Sequence, residues 1–85
     1  MDTKMLNEKL GALRGLDFEL AEKQERAEGN NALEISTTKS FQARLAALAL
    51  GTPVADIKEL PIKKYNQVCT NVLNFLYATS DEETP

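Results

Sequence analysis

The feature that most limits how this chain can fold is the punctuation of residues 38–77, TKSFQARLAALALGTPVADIKELPIKKYNQVCTNVLNFLY. An Ala- and Leu-rich run stops at Gly51, a short segment opens at Thr52-Pro53, and a longer one opens at Leu60-Pro61. Glycine is the usual residue just past a helix because it takes a left-handed backbone cheaply. Proline fits the first helical turn, where its missing N–H is no loss. The stretch therefore reads as helix, turn, short helix, turn, helix, with Thr37 or Thr38 capping the first. In that first helix Phe41, Leu45 and Leu48 fall within about 60° of one another at about 100° per residue. Ala43, Ala46, Ala47 and Ala49 surround them, and side chains this small let neighbouring helices approach from several sides. It is the predicted central helix.

The last helix, from Pro61 to about Ala78, carries the most apolar surface. Ile62, Tyr65, Cys69, Val72 and Leu76 form its main stripe, flanked by Val68 and Phe75 on one side and Leu73 and Tyr77 on the other. Together they span about 200°, twice the minimum stripe of a surface helix. Such a width is covered either inside the domain or by a partner, and in so short a chain the partner reading is favoured. The opposite face is Asn66, Gln67, Thr70, Asn71 and Asn74. Cys69 lies in the main stripe and reads as a small core residue.

In the first third, Leu6, Leu10, Leu13, Leu16, Leu20 and Ala27 form one amphipathic stripe about 120° wide. The first 28 residues read as one helix or two. Gly11 and Gly15 each cost about 1 kcal/mol in a helix interior, which favours a break near Gly15, with Asp17 capping a second helix that runs to Glu28 and stops at Gly29-Asn30-Asn31. The run Glu19, Glu22, Lys23, Glu25, Arg26, Glu28 reads as a solvated face with favourable pairs at Glu19–Lys23 and Glu22–Arg26. Residues 30–37, NNALEIST, alternate and read as a connector, extended in part, that Leu33 and Ile35 pin to the core. The expected fold is a single all-α domain over residues 1–78, a small bundle of about four helices, one of them short, with Gly/Pro corners. Residues 79–85, TSDEETP, read as a disordered acidic tail that serves solubility.

Eighty-five residues sit near the lower limit for a self-sufficient core, so association is expected to add to stability. The net charge of −3 divides into −3 over residues 1–37, +3 over 38–77 and −3 over 78–85, which makes the core mildly basic between acidic flanks. The amino terminus is charged and lacks an apolar run, no stretch approaches the roughly 20 apolar residues of a membrane span, and the single Cys69 has no disulfide partner within the chain. A cytoplasmic protein without membrane contact is expected. There is no histidine, the commonest general base and metal ligand, no zinc-type cluster and no glycine-rich phosphate loop. The expectation is a non-enzyme with no catalytic, cofactor-binding or metal-binding residues.

Residues 43–60, ARLAALALGTPVADIKEL, have the spacing of a helix-turn-helix, with Gly51 at the turn. The segment that would enter the major groove, residues 53–60, offers only Lys58 against Asp56 and Glu59, opposite to what phosphates attract. It also lacks the Arg, Asn and Gln that read bases. A small DNA-binding regulator, or another helical interaction module, is the alternative reading, and nucleic-acid binding is the less expected of the two classes.

The block from 40 to 77, with LGTPVADI at 50–57, Glu-Leu-Pro at 59–61 and Val-x-x-Phe-Leu at 72–76, resembles the small tail assembly chaperones of long-tailed bacteriophages and prophages. The upstream Arg14-Gly15-Leu16-Asp17 and the acidic amphipathic segment with Glu22 are similar to a stretch those proteins carry before their helical core. Many members have a β-rich amino-terminal segment that this sequence does not contain. The resemblance implies a mostly helical, self-associating assembly factor that coats the tape measure protein in the infected cell, keeps it soluble until tail tube subunits polymerise around it, and is absent from the virion. Some members also occur in a longer frameshifted form. The family offers no catalytic residues to carry over, so the candidate contacts are physical ones: Val68, Phe75 and Tyr77, off the centre of the last stripe, and Phe18, off the leucine stripe of the first third, are expected to stay available to a partner.

Overall fold

The computed structural model describes residues 3–78, so the disordered tail expected at 79–85 lies outside the described residues. The described residues form an all-α bundle of five helices: α1 (Thr3–Gly11), α2 (Gly15–Ala27), α3 (Lys39–Leu50), α4 (Val54–Lys58) and α5 (Ile62–Ala78), with one 3-10 turn at Ile35–Thr37 before α3. The first amphipathic stretch divides at residues 12–14, beside the break favoured near Gly15, and with that division the expected count of about four becomes five.

α3 is the axis of the bundle, packed against α1, α2, α4, α5 and the 3-10 turn. Every residue from Phe41 to Ala47 is buried, with Ala43 and Ala46 fully enclosed. A helix surrounded in this way must be slim, which is what its four alanines provide. Thr38 begins it, its hydroxyl accepting from the Phe41 N–H at 3.4 Å. Gly51 ends it at φ 72°; the Thr52 N–H reaches the Ala47 carbonyl at 3.0 Å and the Gly51 N–H the Leu48 carbonyl at 3.3 Å, a Schellman closure. A Cβ on Gly51 would meet nothing within 4 Å, so its constraint is backbone conformation alone. Gly51→Ala is expected to cost about 1–2 kcal/mol, the strain of an L-residue in the left-handed region, read as a shift of the urea midpoint at constant slope.

Gly29, at φ 104°, closes α2 in the same manner, with Asn30 N–H to Glu25 O at 3.0 Å and Gly29 N–H to Arg26 O at 3.0 Å. At its other end α2 corrects the sequence reading. Asp17 is not the cap but the third helical residue, and its carboxylate accepts from the Arg14 backbone N–H at 2.8 Å. The two turns before it, closed by Ala12 N–H to Lys9 O and Leu13 N–H to Leu10 O, rotate α2 relative to α1. The leucine stripe does not survive that rotation. Leu6 and Leu10 are core, but Leu16 is 77% and Leu20 43% exposed. In their place α2 turns Phe18, Ala21 and Glu25 inward; the Phe18 ring stands edge-on to Phe41 with centroids 4.9 Å apart.

Glu25 also overturns the solvated reading of the acidic run. It is 2% exposed and takes the Arg44 Nε at 2.7 Å, while Arg44 Nη2 donates to Glu28 and Nη1 to Gln24. Asn30 completes the network, its Nδ2 donating to Glu25 Oε1 and to Thr38 Oγ1, both at 3.0 Å. Of the two surface pairs expected on this helix, Glu22–Arg26 forms at 3.2 Å. In the connector Ile35 is buried as expected, whereas Leu33 is wholly exposed and the backbone at 35–37 is a 3-10 turn rather than extended. The asparagine-rich link to α2 is held by polar bonds, so it has no need of a second apolar pin.

Candidate interaction surface

α5 meets α1 on one flank and α3 on another, and this decides which part of its wide apolar arc remains open. The buried positions are Val68, Cys69 and Val72, with Tyr65, Phe75 and Leu76 half-buried beside them. Ile62, assigned to the main stripe from its phase, is 75% exposed. The buried face is thus displaced toward the Val68–Phe75 side, because α1 lies there; the Asn71 amide donates to Asn7 Oδ1 across the two helices at 2.8 Å.

Where α1 and the first turns of α5 diverge, they leave a groove of about 200 Å³. Leu6, Leu60, Pro61 and Val68 give it apolar walls, and Lys64 and Gln67 are among its polar lining. Clefts that enclose small molecules usually run to about 300–1,000 Å³, so this one suits a few side chains of a partner segment better than a cofactor. One end of it is the Leu60-Pro61 corner, where α5 begins at Ile62 with the Tyr65 N–H returning to the Pro61 carbonyl at 2.9 Å.

The four residues expected to stay available are placed differently. Val68 is 4% exposed; it lines the groove from within the core, since α1 covers the flank that phase alone left open. Phe18 is half-buried against Phe41 and belongs to the core's edge, because the rotation of α2 brings it inward. Phe75 is half-buried against the core. Tyr77 is 48% exposed, while its phenol shares a hydrogen bond with the Ser36 hydroxyl, tying the end of α5 to the 3-10 turn. None of the four lies with another on an open face. Sequence reasoning missed Leu60, Lys64 and Gln67 as a group, and no local signal marks them, since their setting depends on α1, more than fifty residues away.

Cys69 is fully buried, and its S–H donates to the Lys39 carbonyl at 3.5 Å. Burial pushes its pKa up, outweighing the hydrogen bond to Tyr65 and the charges of Lys39 and Lys58, so it rests as a thiol. Among the described residues no group of three or more His, Cys, Asp or Glu converges as a metal-ligand set, and no helix is long and apolar enough to cross a membrane. The α3–Gly51–α4 corner holds the helix-turn-helix letters, but α4 has five residues, about 7.5 Å of helix at 1.5 Å each, against a major groove about 12 Å wide. Its Lys58 is engaged by the Ser40 hydroxyl at 2.9 Å. No protein-family model, curated protein or solved structure matches the chain.

Proposed function

We propose that this protein is a tail assembly chaperone of a long-tailed phage or prophage: a self-associating helical protein that binds the tape measure protein and keeps it soluble in the bacterial cytoplasm until tail tube subunits assemble. The motif resemblance over residues 40–77 supports the reading. The observation that carries its physical side is the groove between α1 and α5, an apolar trough edged by Lys64. An unassembled helical tape measure exposes apolar stripes that need masking. A helix laid into a groove through spaced apolar anchors is a recurrent way to do so. The +3 charge of residues 38–77 adds attraction for acidic stretches of such a client, chiefly to its rate of encounter.

Co-expression with a tape measure protein of a long-tailed phage tests the proposal. A soluble complex with several copies of this chain per tape measure is expected, and Lys64→Glu, at an exposed groove residue, is expected to cut recovery of the client severalfold without changing the thermal midpoint. Precipitation of the tape measure regardless of this chain would reject the reading. Salt-dependent DNA binding lost on Lys63→Ala and Lys64→Ala would replace it with the regulator.

A further inference from the structure

α2 turns its buried face to α3, and the face opposite carries what the sequence marks as core. Leu16, Leu20, Lys23 and Ala27 recur at steps of four, three and four, the spacing of a two-stranded coiled-coil seam. In the folded chain Leu16, Leu20, Lys23 and Ala27 are all exposed. A shallow open trough runs beside them, lined by Leu16, Glu19, Leu20, Glu22, Lys23 and Arg26. The Arg26 guanidinium donates to the Ala32 carbonyl at 3.1 Å, which sets the fully exposed Leu33 one residue beyond that edge. Two exposed leucines in register, continued by a third, are more than scattered surface apolar residues.

From this face we infer that α2 pairs with α2 of a second copy of this chain, antiparallel about a two-fold axis. The charges select the occupant and the direction. On the flank beside the seam, Glu19 stands at the amino-terminal half and Arg26 at the carboxy-terminal half, one heptad apart. An antiparallel pairing sets Glu19 of each copy against Arg26 of the other, twice by symmetry, and layers Leu16 on Ala27 and Leu20 on the aliphatic stem of Lys23. A parallel pairing would oppose the two Lys23 ammonium groups in the seam and leave Glu19 facing Gln24. The inference rests on the self-association in the reading above but not on its client, and it uses the face of the molecule away from α3, not the α1–α5 groove.

Sedimentation of the full chain over a range of concentrations tests it. The chain is expected to be a dimer at micromolar concentrations, and Leu20→Asp, exposed in the monomer, to weaken it by about 100-fold because the symmetry counts each substitution twice, with the helical circular dichroism unchanged. Cysteine pairs settle direction: Leu16→Cys with Ala27→Cys is expected to cross-link the dimer on oxidation, and Ala27→Cys alone is not. A chain that stays monomeric, or a dimer indifferent to Leu20→Asp, would overturn the interface; cross-linking through Ala27→Cys alone would overturn the antiparallel arrangement. A monomer that still holds the tape measure protein, with Lys64→Glu disrupting it, would reject the α2 interface while leaving client binding intact.

Discussion

Arg44→Ala is expected to remove about 3–5 kcal/mol of stability, the usual loss when one partner of a buried ion pair is taken away. At about 0.05–0.15 kcal/mol per residue, an 85-residue chain holds roughly 4–13 kcal/mol in total, so the variant is expected to be partly unfolded at 37 °C. The loss is large because Glu25, 2% exposed, would keep a charge with only Asn30 and Ser40 to bind it. Glu28, the outer acid of the same guanidinium, has a side chain 61% exposed, and Glu28→Ala is expected to cost below about 1 kcal/mol. Replacing both buried partners, Glu25→Leu with Arg44→Met, is expected to recover most of the deficit, since apolar groups of similar volume carry no desolvation penalty.

The pair also predicts a pH dependence. Burial by itself raises the Glu25 pKa, but hydrogen bonds from Arg44, Asn30 and Ser40 and the Arg44 charge outweigh it and hold the carboxyl below its ordinary 4.5. A pKa lower in the folded state gives stability that is fully present above the unfolded value and is lost as pH falls through the folded one. In Arg44→Ala the largest lowering influence, the arginine's hydrogen bond, is gone together with its charge while burial remains, so the Glu25 pKa rises. The gap in stability between wild type and Arg44→Ala is therefore expected to be widest at neutral pH and to narrow below about pH 4, measured by urea unfolding at both. An equal gap at both would assign the loss to packing of the arginine stem.

Phe41→Ala is the second large effect, expected to cost about 3–5 kcal/mol. Phe41 is the largest of the fully enclosed side chains, at 0% exposure, on the helix that every other helix touches. The cavity would lie in the enclosed core, among buried side chains that relax only partly into the space left behind. Phe18 meets the ring edge-on, so Phe41→Leu is expected to lose less, about 1–2 kcal/mol, keeping the bulk but not the aromatic contact. Leu33→Ala, at a wholly exposed position, is the control expected to leave the denaturation curve of the monomer unmoved.

The corners were legible in the sequence because they are local. Gly51, Gly29, Pro53 and Pro61 act through their own backbone geometry, and each stands at a helix boundary in the structure. The central place of α3 was legible too, from alanines on several sides of one helix. Phase was legible only within a helix. Once residues 12–14 turned the chain, the leucine stripe of the first third described two different directions, and Phe18 and Leu20 exchanged the surroundings expected of them. The α1–α5 groove was not legible, since Leu6 and Val68 become neighbours only when the bundle closes. One clue was passed over: Arg44 is the only charge between Lys39 and Asp56, in an otherwise apolar run, and a guanidinium there calls for a carboxylate from another helix.

By itself, the sequence determined that this chain is all-α, where α2 and α3 stop and where α4 and α5 begin, that α3 is slim enough to be surrounded, and that Cys69 is core. These follow from residues acting on their own backbone or on neighbours a turn away. Only the tertiary structure decided which face of each amphipathic helix is covered. It buried Glu25 on Arg44, sealed Val68 behind α1, and left Leu16, Leu20 and Ile62 outside. The reason is that an apolar arc states how much surface a helix can bury, whereas the direction from which a neighbour arrives depends on turns of two or three residues whose geometry hydrophobic periodicity does not encode.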